Sequence, residues 1–178
     1  MINGLKLIYG ELVKKEQPVT VALCNSKNRV EWIPLLSCGQ EDKNLGIVDS
    51  GFWGIKISSC LIILDSQSSY LYVLKLLEIT MDQIESELKN LSSKYGLAER
   101  DYLEFPFVEI IRFAFRNEQN DYWLNLAFRW LDSLENRFQK ELVVELFNLE
   151  NNKNISQKMR HMAKKRRINN SMCSKEIL

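Results

Sequence analysis

Catalysis by an imidazole needs a nucleophile or an orienting carboxylate close by. The chain's one histidine, His161, has Arg160 and Lys164 for neighbours instead. The four cysteines, Cys24, Cys38, Cys60 and Cys173, show no C-x-x-C spacing, and with a single histidine they do not make a tetrahedral metal set. Neighbouring carboxylates such as Glu41-Asp42 and Glu85 with Glu87 read as a solvated loop and a helix face. Asp49-Ser50-Gly51-Phe52-Trp53-Gly54 places two glycines around two aromatics, but no Lys-Ser/Thr follows and there is no G-x-G-x-x-G. It reads as a turn that inserts Phe52 and Trp53 into a core, not as a phosphate loop. No metal, no cofactor and no enzyme activity are expected.

Charge is the stronger signal. Residues 1–152 hold 16 basic and 22 acidic side chains, a net −6, whereas residues 153–178 hold 8 basic and one acidic, a net +7. Within the acidic body, Glu99, Asp101, Glu104, Glu118, Asp121, Asp132 and Glu135 fall at helix ends and connecting turns. If the helices alternate up and down, several of these turns share an edge, and that edge attracts a basic partner by steering. Within the tail, Lys164, Lys165, Arg166 and Arg167 are the candidates for sequence-blind phosphate contact with nucleic acid. Two other uses compete with it: a solubilising helix end that suits the helix dipole, and docking against the protein's own acidic body.

The elements that must carry these groups are α+β in class. At 178 residues, 46% hydrophobic and 26% charged, the chain can bury a core of its own. One domain is expected over residues 1–168, mainly strands in 1–66 and mainly helices in 67–168, with 169–178 a flexible tail. The first part reads as a small antiparallel sheet. Leu5 to Tyr9 is a strand; Val19–Cys24 and Arg29–Ile33 form a hairpin around Asn25–Asn28; Pro34 ends the ladder or lies on an edge; Gly39–Asn44 is loop; Ile57–Leu64 is a further strand.

A helical-repeat-like bundle of five or six helices follows. Ser69–Ile79 reads as helix. Thr80 and Gln83 make a capping box, Met81, Ile84, Leu88, Leu91 and Tyr95 keep one stripe, and Gly96 closes the helix. Phe105 to Leu134 reads as two helices apolar nearly all round, the first with a polar stripe of Glu109, Arg112 and Arg116. Phe138, Leu142, Leu146 and Leu149 mark the next helix, and Ile155 to Ala163 a short last one ending in the basic run. No apolar run approaches the ~20 residues that span a bilayer. No export leader is read at the start, so the expectation is a cytoplasmic protein with reduced thiols.

In length, acidic body, lack of a catalytic set and the helical end DYWLNLAFRWL…ISQKMRHMAKK, the chain resembles small bacterial immunity proteins that neutralise polymorphic toxins, including those of contact-dependent growth inhibition. The resemblance covers roughly Tyr122 to Lys165 and rests on type, with no diagnostic motif. It implies a cytoplasmic protein that binds one cognate toxin domain tightly and blocks its active site or substrate groove; the acidic edge makes a basic nuclease the expected partner. The basic tail departs from that pattern.

Overall fold

A computed structural model of the chain describes residues 2–24, 26–37, 43–97, 104–117 and 119–172. The chain divides into two compact units, Met1–Pro106 and Phe107–Leu178.

The first unit begins with a helix, α1 (Ile2–Val13), where a strand was the expectation. Burial decides it. A strand would put Leu5, Leu7 and Tyr9 on one face, yet Leu5 and Tyr9 are buried while Leu7 is 75% exposed. Leu5, Ile8, Tyr9 and Leu12 instead form one buried helical stripe.

Five strands follow: β1 (Val19–Leu23), β2 (Arg29–Ser37), β3 (Lys43–Val48), β4 (Trp53–Ile57) and β5 (Cys60–Ile63). They form a closed barrel in sequence order, not an open antiparallel sheet. Four antiparallel steps leave the first and fifth strands running the same way, so β1 closes against β5 in parallel, through Ala22↔Cys60 and Leu23↔Leu61. Val21, Trp32, Val48 and Leu61 fill the interior, with Phe52 packed against them, as its turn suggested. Trp53 is buried with its ring against Phe105, centroids 5.0 Å apart.

Three details of the sheet differ from expectation. Ile57–Leu64 is not one strand: Ser58 takes φ 50 and turns the chain so that Ile57 pairs with Cys60. No Gly or Asn signals that turn. Lys43 and Asn44 belong to β3, not to a loop; residues 38–42, with Cys38 and Glu41-Asp42, lie outside the described residues. Pro34 sits inside β2, not at its end, because the register shifts between Pro34 and Leu36 and a bulge tolerates the missing donor. Opposite it, Gly46 lets the backbones approach. A Cβ there would collide with the Ile33 carbonyl and lie 2.8 Å from Trp32 Cε3. Gly46→Ala is expected to destabilise by about 1 to 3 kcal/mol, read as a lower urea midpoint.

After the barrel, Gln67–Glu78 is helical, but 3₁₀ rather than α. The helix α2 (Met81–Tyr95) starts as its sequence predicts: Gln83 N–H donates to Thr80 Oγ1 at 3.4 Å, and Thr80 N–H to Gln83 Oε1 at 3.1 Å. It ends at Gly96 with φ 59, where Leu97 N–H returns to Ser92 O at 2.8 Å. Lys15 Nζ donates to the Tyr95 carbonyl, and the Tyr95 hydroxyl donates to Glu16 at 2.8 Å, tying the end of α1 to the end of α2. That hydroxyl and Lys94 hold the Glu16 carboxyl below the usual carboxylate range.

The second unit is helical: α3 (Phe107–Asn117), α4 (Asp121–Ser133), α5 (Asn136–Lys140), α6 (Val143–Asn151) and α7 (Gln157–Met172). The apolar pair α3–α4 is its centre, with Ile110, Ile111, Ala114, Leu124, Ala127, Phe128 and Leu131 sealed from solvent. Phe107 meets Trp130 edge-on at 5.5 Å, and Phe115 meets Phe128 at 5.0 Å. The stretch Phe138–Leu149 is not one helix; the chain breaks at Leu142 (φ −102, ψ 6) before α6 resumes. The last helix runs through the basic stretch to Met172, beyond its expected end, so 169–172 are helical; residues 173–178, Cys173 among them, are outside the described set.

Candidate functional site

Among the described residues no group of three or more His, Cys, Asp and Glu could hold a metal ion. His161 lies on the exposed face of α7. A groove of about 410 Å³ beside the β1–β5 seam is lined by Cys24, Asp65, Ser66, Ser69, Leu71 and Tyr72, among others, with no histidine or lysine to serve as a base. Ser69 Oγ already donates to Ser66 O at 2.6 Å.

Two cysteines are not the free thiols expected from sequence. Cys24 and Cys60 form a disulfide across the barrel seam. The parallel register sets Cys60 beside Ala22, and Cys24 N–H reaches Leu61 O at 2.9 Å, which brings the two side chains together. Scattered spacing hid this because the closing strands are 36 residues apart.

Of the acidic candidates, Glu104, Asp121, Asp132 and Glu135 lie among the described residues. Glu99, Asp101 and Glu118 lie outside the described residues. Glu104, in the first unit, is turned onto α1, where a Cβ at Gly4 would collide with its carboxylate. Asp121 stands in the first turn of α4, beside the Asn120 cap whose Oδ1 accepts from Tyr122 N–H at 2.8 Å. Asp132 stands at the other end of the same helix, about 16 Å away along its axis. There Arg166 grips it with two bonds, 2.7 and 2.5 Å. Glu135 pairs with Arg137 at 3.0 Å, both well exposed.

The basic candidates divide by residue type. Arg166 and Arg167 are each paired with a carboxylate of the same unit. Arg166 also stacks on Phe128, and Arg167 Nε donates to Glu150 at 2.7 Å. The Arg167 bond holds the Glu150 carboxyl below its usual range, aided by the charge of Lys164. Planar guanidinium forks match carboxylates, and two carboxylates lie within reach. Lys164 and Lys165 face solvent; Lys164 comes no nearer than 4.0 Å to Glu150.

A site missed from sequence is the ionic cluster between α3 and α6. Glu145, only 2% exposed at its side chain, meets Arg116 at 2.5 Å and Arg112 at 3.4 Å. Arg112 also pairs with Glu109 and lies 3.9 Å from Glu141. Burial works against the Arg112 charge, but Glu109, Glu145 and Glu141 outweigh it and hold its pKa above normal. The signal was present: the narrow stripe of Glu109, Arg112 and Arg116 has to meet something.

Three of the large apolar side chains that face solvent lie on this unit, while Leu7, Val13, Val19, Leu71 and Tyr72 are exposed on the first. Tyr122 (51% exposed) follows Asp121, with its ring 5.0 Å from Trp123. On the outer side of α6, Val144 (65%) and Phe147 (53%) stand one turn apart.

Comparison with protein-family models, with curated proteins and with solved structures finds no match to this chain. No helix among the described residues is long and apolar enough to cross a membrane.

Proposed function

We propose that the chain is a non-enzymatic immunity protein, which neutralises one cognate bacterial toxin domain, a nuclease, by covering its active site or substrate groove. The observation that carries this reading is the exposure of large apolar side chains on the helical unit, Tyr122 on α4 and Val144 and Phe147 on α6, with Asp121 next to Tyr122 in the chain and the exposed Glu141 just before α6. Aromatic anchors dominate the energy of protein interfaces, while acidic groups at the border speed capture of a basic partner. Asp132 and Glu135, at the far end of α4, are each paired with an arginine and add little net charge.

The test is titration with candidate toxin domains from the adjacent gene. A stoichiometric complex at micromolar concentration or tighter is expected, weakening as salt rises and protecting nucleic acid from cleavage. Tyr122→Ala and Phe147→Ala should each weaken it by roughly tenfold or more. Absence of a complex, or full affinity in both variants, overturns the proposal.

A further inference from the structure

The solvent side of α7 carries a second surface, independent of the reading above. The helix holds Lys158, Arg160, His161, Lys164, Lys165, Arg166 and Arg167 and has no acidic residue over 16 positions. Its arginines turn inward: Arg166 and Arg167 bond carboxylates of neighbouring helices, and Arg160 is partly buried. Its lysines turn outward. Lys158, Lys164 and Lys165 are exposed together with His161, on one side of the helix over about 10 Å. Among the described residues neither Lys158 nor Lys165 has an ion pair, while Asp132 and Glu150 are held by Arg166 and Arg167.

Helix stability does not account for this face. Lys158 stands in the first turn, where the dipole favours acids and opposes a cation. Burial does not account for it either, since these side chains are exposed. What such a stripe matches is a polyanion with closely spaced charges. Duplex nucleic acid presents one phosphate charge per ~1.7 Å of axis, so several lie opposite α7 at once. Lysine is a mobile point charge suited to phosphate without reading bases, and no aromatic ring on this face offers a stacking platform.

We propose that the exposed lysine face of α7 contacts the phosphate backbone of nucleic acid, with affinity that is sequence-blind and strongly dependent on salt. The test is fluorescence anisotropy of the full chain with a labelled RNA or DNA duplex of arbitrary sequence, over a series of salt concentrations. Three lysine contacts give a slope of log K against log salt near −2.7, by the relation of about −0.9 per contact. The variant K158Q/K164Q/K165Q, with its fold checked by circular dichroism, should lose at least ~10-fold in affinity and flatten that slope. Arg137→Gln, on the surface of the same unit, should bind as the parent does. No binding at low salt, a parent slope flatter than −1 on that scale, or an unaltered triple variant overturns the proposal. Preference for anionic lipid vesicles over the duplex overturns it too.

Discussion

Replacing Glu145 with alanine should lower the unfolding free energy by about 3 to 5 kcal/mol, the loss seen when one partner of a buried ion pair is removed. The size follows from where the charges sit. Glu145 is sealed at the α3–α6 contact, and the Arg112 side chain is only 15% exposed, so the guanidinium cannot recover its hydration when the carboxylate goes. Arg116, nearly half exposed, can. Glu145→Gln should fall close to alanine, because the amide keeps the volume but removes the buried anion that Arg116 and Arg112 share, leaving Arg112 with Glu109 and the more distant Glu141. Glu135→Ala removes an exposed pair with Arg137 and should change stability by less than about 1 kcal/mol. Urea unfolding followed by circular dichroism measures all three. A Glu145→Ala loss no larger than that of Glu135→Ala would mean the cluster is hydrated.

The second large effect concerns the barrel seam. The Cys24–Cys60 bridge closes a loop of sequence separation 36, which by chain entropy corresponds to about 4 kcal/mol against the unfolded state. The strands it joins pair over only two residues, so little else holds that edge. Cys24→Ser with Cys60→Ser, or reduction of the parent, should therefore lower Tm by several degrees or more. Thiol counting under non-reducing denaturation should find two free thiols of the four cysteines when Cys38 and Cys173 are reduced. Four free thiols, with a melting temperature that reductant leaves unmoved, would refute the bridge and restore the reading of reduced cysteines.

Much of the helical half is legible one residue at a time, since a helix's start, end and buried face depend on neighbours within a few positions. Thr80, Gln83 and Gly96 carry their capping roles in their chemistry, and the Phe105–Leu134 stretch announces a buried pair by its composition. The β1–β2 hairpin is equally local. The short apolar segments are different. Leu5–Tyr9 fits two periods, and only its burial against the rest of the first unit selects helix.

The surfaces show the same division. Sequence alone determined that the chain has an acidic body and a basic end, and that it contains a single histidine. Tertiary structure decided which charges remain outward. It paired Asp132 with Arg166 and Glu150 with Arg167, left the lysines in water, and separated Asp121 from Asp132 by the length of α4. It also closed the sheet and joined Cys24 to Cys60. The physical reason is reach: charge and composition belong to single residues, whereas pairing, register and exposure depend on which distant segments come to lie side by side.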